Sequence, residues 1–327
     1  MIIIGALLEM AGKKAQADRA VSKGGQTLTT IADCNSLILG TAQLGMAYGI
    51  ANRVGQPGQR EAKKIVETAL NEGISHFDTA QDYGESEALL GIILNELDAA
   101  GKVKITTKLH PDINLLNEKE VIRAVESSMR KLKNPQLYCL MLHRERYLDL
   151  LEKGLNVILE KIIGDGYAKH IGISVYSPAA AFAALKALPI DIVQLPANLL
   201  DRRFEKSGVF RVAAASGKLI HIRSVFLQGL LLMEAKDVPT TMSFTLPVIR
   251  RLEEIARETH LTRNALALHY VKIKYPSSNI IFGAESPAQV CENCKIWGSD
   301  VANDLIEKIE NAFPSVEERI LNPTLWY

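Results

Sequence analysis

Cysteine is scarce. The four in the chain (Cys34, Cys139, Cys291, Cys294) are too few for a disulfide framework, and two of them fall inside apolar strand and helix patterns, which suits a reducing, cytoplasmic setting. Cys291 and Cys294 form a C-x2-C pair, but no second cysteine pair or close histidine pair completes a metal site, so the two read as neighbours on a helix. Charge of one sign is equally lacking: 38 basic side chains against 37 acidic ones leave a net charge of +1. No global field would draw the chain to nucleic acid or to an anionic membrane. The apolar opening MIIIGALLEMAG is too short to span a bilayer, lacks a basic leader and has no small-residue cleavage site. No G-x-G-x-x-G follows the first strand pattern, which counts against a Rossmann site.

Hydrophobic residues are plentiful, at 47% of 327, enough for one sizeable core. Residues 1–35 break into polar, aperiodic sequence after the first dozen and read as an N-terminal extension for which disorder is expected. From Ser36 the pattern alternates. SLILGTA, ISHFDTA, VKITTK, LYCLMLH, KHIGIS, DIVQLP, KLIHIRS and NIIFGA read as strands, with segments of helical period between them. GQREAKKIVETALNEG, for example, sets Ala62, Ile65, Val66, Ala69 and Leu70 on one face and stops at Gly73, a helix terminator. Eight strands alternating with helices in one domain, residues 36–327, predict an α/β fold of the (β/α)8 TIM barrel type over an open doubly wound sheet.

Four polar residues stand where the C-terminal ends of successive strands are expected: Asp78 and Tyr83 in FDTAQDYG, Lys108 in VKITTK and His143 in QLYCLMLH. Singly, each has an ordinary structural explanation as a cap, a packed ring, a snorkelling lysine or a buried histidine. Together, a carboxylate, a phenol, an ammonium and an imidazole on one rim make a proton-donating site suited to carbonyl reduction. Hydride addition leaves an alkoxide, and a donor must meet that oxygen as charge develops. Tyr83 is the expected acid, Lys108 the cation that favours its phenolate, Asp78 the anchor of Lys108, and His143 the donor that aims the carbonyl. Strict alternation sets Lys104 on the same strand face as Lys108, which implies either a bulge or a Lys104 that reaches the lower mouth of the barrel.

LGTAQLGMAYGIAN, FDTAQDYGESEALLG, TTK, MLH, GISVYS, VQLPANLLDRR, RSVFLQGLL and IIFGAESPAQVCEN occur in an order that resembles the aldo-keto reductases over residues 37–295. The resemblance implies a barrel that binds NADPH, or NADH, in extended form and reduces aldehydes or ketones, with Asp78, Tyr83, Lys108 and His143 on the catalytic positions. It also implies that Ser174 and Gln194 hold the nicotinamide carboxamide, that Arg223 takes the place of a ring-stacking aromatic, and that Ser224, Leu227 and Gly229 wrap the pyrophosphate. Gly283, Ser286, Gln289 and Asn293 match the adenosine side. The chain departs from the pattern in two places: Val175 stands where an Asn usually follows Ser174, and Gly283, Glu285 and Gln289 stand where many relatives carry Lys or Arg for a 2′-phosphate.

The substrate is expected to be a small carbonyl compound such as a sugar or hydroxyketone, because Ala197 in LPANLLDRR replaces an aromatic and the sequence is poor in aromatics, 6%. Trp326 and Tyr327 either fold over the barrel rim or pin the tail to its wall. Two other readings stay open: a subunit that senses nicotinamide nucleotides without turnover, and an aldolase that forms a Schiff base on Lys108.

Overall fold

The computed structural model describes Cys34, residues 36–301 and residues 304–326; the expected extension, apart from Cys34, and Tyr327 lie outside the described residues. Eight parallel strands close a barrel in sequence order: β1 Leu37–Gly40, β2 His76–Asp78, β3 Lys104–Lys108, β4 Leu137–Leu142, β5 Ala168–Ser174, β6 Ile190–Pro196, β7 Leu219–Arg223 and β8 Asn279–Gly283. All eight predicted strands are present. Around them run α1 Gln59–Asn71, α2 Ser86–Glu96, α3 Glu118–Leu132, α4 Asn156–Gly164, α5 Pro178–Lys186, α6 Val209–Ser216, α7 Leu246–Thr259, α8 Arg263–Lys274, α9 Pro287–Gly298 and α10 Leu305–Ala312. Among the described residues no helix is long and apolar enough to cross a membrane.

Side-chain alternation along the strands divides the structure into two environments. Outward positions such as Phe77, Ile105, Leu140, Ile171, Val193 and Ile222 join the large apolar core between strands and helices; α1 adds Ala62, Ile65, Val66 and Ala69, all buried as its periodicity predicted. Inward positions are largely polar. His76 and Asp78 on β2, Thr106 and Lys108 on β3, Gln194 on β6 and His221 on β7 are all buried, with Cys139, Met141 and Ile192 as a small apolar cluster among them. Barrel interiors are more commonly filled by branched aliphatic side chains; here the lining is largely polar.

β3 is regular, pairing His76↔Lys104, Phe77↔Ile105 and Asp78↔Thr106. The register shift lies instead in β5, between Ile171 and Gly172. Lys104 therefore points the same way as Lys108 but at the other end, where its ammonium lies 5.1 Å over the Tyr138 ring. Tyr138 meets His76 edge-on at 4.8 Å, and His76 meets His221 at 5.4 Å. His76 Nε2 shares a 2.9 Å hydrogen bond with Thr106 Oγ1, whereas neither ring nitrogen of His221 has a partner.

In the tail Trp326 packs inward, while just before it Leu321, Asn322 and Pro323 line a cavity with Tyr176, Arg223 and Ser224. Trp326 is 3% exposed, its indole donates to Arg319 O at 3.0 Å, and the Arg319 guanidinium stacks 3.9 Å from the Phe244 ring.

Burial, then the neighbouring His221 and Lys104, depresses the His76 pKa to about 2. Burial, with Lys108, His170 and Lys104, depresses that of His221 to about 3. In the unfolded chain both rings take up protons near their ordinary pKa of about 6.5. Stability is therefore full above that pH and falls as pH drops from there toward the folded values. We expect His221→Leu, nearly isosteric and without a proton to take up, to lose less stability on acidification. Denaturant midpoints should show a difference on the order of 1.5–2 kcal/mol less loss between pH 6.5 and pH 5; identical pH dependence in the two proteins would refute the assignment.

Candidate active site

At the C-terminal rim, the ends of β1 and β2 are tied by Thr41 Oγ1, which donates to Asp78 O at 3.0 Å, and by Ser86 Oγ, which donates to Thr41 O at 2.9 Å. Between Asp78 and Ser86 the chain turns through Tyr83. Gly84, at φ +52, and Gly45 meet there backbone to backbone: a Cβ built on Gly45 would stand 1.8 Å from Tyr83 O, and one on Gly84 would stand 2.4 Å from Gly45 O. Only glycines permit that approach, and it fixes where the phenol sits.

Lys108, 1% exposed, donates to Asp78 Oδ1 at 2.5 Å and to Thr79 O at 2.9 Å. Gln194 Nε2 donates to the other carboxylate oxygen at 2.8 Å. The ammonium lies 5.0 Å from the Tyr83 ring centroid, and the Tyr83 and His143 rings are edge-on at 6.0 Å. Burial alone would lower the Lys108 pKa, but Asp78 and Tyr83 outweigh it and hold it raised. A lysine so held is a cation rather than a nucleophile, which weighs against a Schiff base. Burial raises the Tyr83 pKa more than Lys108 lowers it, with Asp78 raising it and Arg223 lowering it further. His143 is depressed to about 3 by burial and by Lys108, Arg144, Arg223 and His110; it is neutral at physiological pH, and its buried Nδ1 has no partner.

This cluster opens into a cleft of about 260 Å³ lined by Gln43, Tyr48, Asp78, Tyr83, Gln194 and Arg223, and farther along by Gly229, Gly283 and Gln289. A second cavity, of about 250 Å³, shares Phe226, Leu232, Gly283 and Gln289 with it and continues past Arg263 and Asn293. Together they form a long channel. Its wall includes the turn after β7, where Ser224 (φ 60), Leu227 (φ 48), Gln228 (φ 55) and Gly229 (φ 88) adopt positive φ, strain of the kind found at ligand clamps; the Leu227 and Gly229 amides close the turn on itself, donating to Ser224 O and Phe226 O, each at 2.9 Å. The Leu227 side chain itself is buried in the core. Arg223 faces the cleft with its guanidinium 4.1 Å from the Tyr176 ring centroid; its Nη2 donates to Val175 O at 3.3 Å, and its Nε is buried without a partner. Ser174 ends β5, paired in register with Gln194 and buried. Ser286 caps α9 by accepting from the Gln289 amide, and Asn293 Oδ1 accepts from Asn264 Nδ2 at 2.7 Å. Polar side chains line both ends of this channel, Gln194 and Arg223 at one and Gln289 and Asn293 at the other, the donor and acceptor set that could hold an extended dinucleotide.

The pattern of the aldo/keto reductase family matches residues 36–312. The chain belongs to that family. It is 25% identical to a pyridoxal 4-dehydrogenase of Microbacterium luteolum, covering 87% of this chain and 93% of that protein. It is 26% identical to a putative voltage-gated potassium channel subunit beta of Schizosaccharomyces pombe, covering 80% and 84%. Among solved structures, the holo form of the aldo-keto reductase AKR11C1 from Bacillus halodurans superposes with a TM-score of 0.71 at 20% identity, over 88% of this chain and 95% of that one. The glycerol dehydrogenase AKR11B4 from Gluconobacter oxydans gives 0.68 at 22%, over 88% and 93%. These likenesses carry the fold.

Within this aldo/keto reductase the channel also uses residues that sequence reading passed over. Tyr48 lines it, with its phenol pKa pushed up to about 12 by burial and by Tyr83. Gln43 and Gln228 line it too. They lie in single turns of helix or in irregular backbone too short to show a period, so only the short spacing from β1, and from β7, could have drawn attention to them. Ala197 is buried in the core and does not widen the cleft; Asp201 accepts from Arg203 Nε and Nη2 at 2.9 and 2.8 Å, a structural ion pair.

Removing one partner of a buried ion pair leaves the other charge uncompensated. Asp78→Ala should destabilise the folded protein by about 3–5 kcal/mol, while Asp78→Ala with Lys108→Met should recover most of that loss. Equilibrium unfolding of the two single variants and the double variant tests this; a double variant as unstable as the sum of the singles would mean that the two charges do not depend on each other.

Proposed function

We propose that this aldo/keto reductase uses a nicotinamide cofactor to reduce a small aldehyde or ketone, with Tyr83 as the proton donor. The observation that carries the proposal is the buried Lys108–Asp78 pair, 2.5 Å apart, set beneath a phenol that lines the long channel. When bound, the cofactor supplies hydride to the carbonyl carbon. Tyr83 gives its proton to the carbonyl oxygen as charge develops there, and Lys108 stabilises the phenolate that remains. His143, neutral at physiological pH, donates a hydrogen bond that orients the carbonyl without adding a second charge. Asp78 holds Lys108, and Gln194 holds Asp78, so both charges are placed before substrate arrives.

Ser224, Leu227 and Gly229 wrap the pyrophosphate by shaping the strained turn, which the Leu227 and Gly229 amides hold closed. Ser174 and Gln194 take the nicotinamide carboxamide, and Ser286, Gln289 and Asn293 the adenosine. A substrate rich in hydroxyl groups, a sugar or hydroxyketone, suits the polar rim. Residues 36–327 are proposed as one barrel domain following an N-terminal extension, in a cytoplasmic protein.

A second reading, a subunit that binds nicotinamide nucleotide without turnover, is favoured by the relative named as a potassium channel subunit beta. Tyr83→Phe separates the two. It should lower carbonyl reduction by about 10²–10⁴-fold while leaving cofactor affinity nearly unchanged, as followed by loss of nicotinamide absorbance with a panel of aldehydes and hydroxyketones. A variant that keeps more than about half of wild-type turnover with chemistry rate-limiting removes Tyr83 as the acid, and a wild-type protein that binds nucleotide but reduces no member of the panel supports the sensor.

Arg223 bears on the direction of the reaction. Its guanidinium is planar, so it can stack on the nicotinamide as an aromatic ring would, but its charge disfavours the cationic oxidised ring relative to the neutral reduced one. Arg223→Tyr should tighten the oxidised cofactor more than the reduced one, by up to about 1 kcal/mol. Titration of both redox forms into both proteins decides it; an unchanged ratio would mean that Arg223 does not sense the ring.

A further inference from the structure

Resting on the nicotinamide reading above, we propose that the chain selects the dinucleotide that lacks a 2′-phosphate, NADH, and that Glu285 is the selecting residue, its carboxylate accepting hydrogen bonds from the ribose hydroxyls at the adenosine end. With hydride chemistry fixed at Tyr83, the other end of an extended dinucleotide must occupy the distal part of the channel, around Gly283, Glu285 and Gln289.

Four observations there disfavour a dianion. First, the space beside Gly283 is already filled: a Cβ at that position would stand 2.3 Å from Gln43 Nε2 and 2.7 Å from its Oε1. Gln43 offers a neutral amide where a basic side chain would have to lie. Second, the amides that open α9 are engaged internally, since Gln289 Oε1 accepts from the Glu285 amide at 2.7 Å and Ser286 Oγ accepts from the Gln289 amide at 3.3 Å. Little of the helix N-terminus is left to hold a phosphate. Third, Glu285 stands at this end of the channel, and burial raises the pKa of its carboxyl, the mark of a charge without compensation nearby. A ribose diol relieves that desolvation by donating hydrogen bonds, whereas a phosphate dianion worsens it by repulsion.

Fourth, Arg263 is the one basic side chain that lines the continuing cavity among the described residues, and Glu292 lines it as well. The Arg263 Nη1 already donates to Met233 O and lies 3.4 Å from Glu253 Oε1, so this cation is already paired with a carboxylate.

The test is equilibrium binding, independent of turnover. NADH and NADPH are titrated into wild type, Glu285→Gln and Glu285→Arg by calorimetry. Wild type should bind NADH at least about tenfold more tightly than NADPH, Glu285→Gln should shrink that ratio about three- to tenfold, and Glu285→Arg should invert it. Wild type that binds NADPH as tightly as NADH, or a ratio unmoved by Glu285→Gln, overturns the inference while leaving the reductase reading intact. Failure to bind either dinucleotide overturns the reductase reading, and this inference with it.

Discussion

Two opposite charges sealed inside the barrel, Lys108 and Asp78, hold the rest of the site in place. Taking either one out of water alone would cost several kcal/mol, and the structure offsets this by saturating both. The ammonium has Asp78 and Thr79 O, and the carboxylate has Lys108 and Gln194. Because these partners come from β2, β3 and β6, the pair ties together strands on different sides of the barrel. It also limits itself: much of the field of Lys108 is spent on Asp78, so at Tyr83 the desolvation of the phenol outweighs the pull of the cation. The acidity of the phenol is then set by how dry the site is as much as by its charges.

The same division runs through the whole molecule. The outward strand faces and the helices that cover them form the apolar core, where hydrophobic burial stabilises the fold. The inward faces, freed from that duty, carry His76, Asp78, Thr106, Lys108, Gln194 and His221. The cost is sensitivity to acid, since His76 and His221 are kept neutral by burial. Loops complete the arrangement where glycine lets backbones touch, as at Gly45 and Gly84, and where the turn after β7 is held at positive φ.

Membership of the aldo/keto reductase family explains the barrel and the rim, and the departures from the family pattern give this chain its own character. At Val175, which stands where an amide side chain is usual, only the backbone oxygen makes a polar contact with Arg223, accepting from its Nη2. Gln43, in the short helix Ala42–Gly45 after β1, fills the space beside Gly283 on β8, so a neutral side chain from another part of the sequence lies where relatives often carry a basic one. Each departure has a structural counterpart.

Strand and helix periodicity, with a glycine stop, was enough to predict eight strands, the amphipathic face of α1 and a parallel barrel, because burial on a sheet or helix face is written into local spacing. Motif spacing likewise put Asp78, Tyr83, Lys108 and His143 at strand ends. Alternation alone left Lys104 ambiguous, since which mouth a side chain reaches depends on strand register and closure; the structure resolved it through the pairing of His76 with Lys104. The roles of Gln43, Tyr48 and Gln228 were decided only by tertiary structure, because residues in such short segments show no period and their position follows from contacts made across the rim. So was the net direction of the Tyr83 pKa, a balance between desolvation and opposing charges that depends on distances no sequence states.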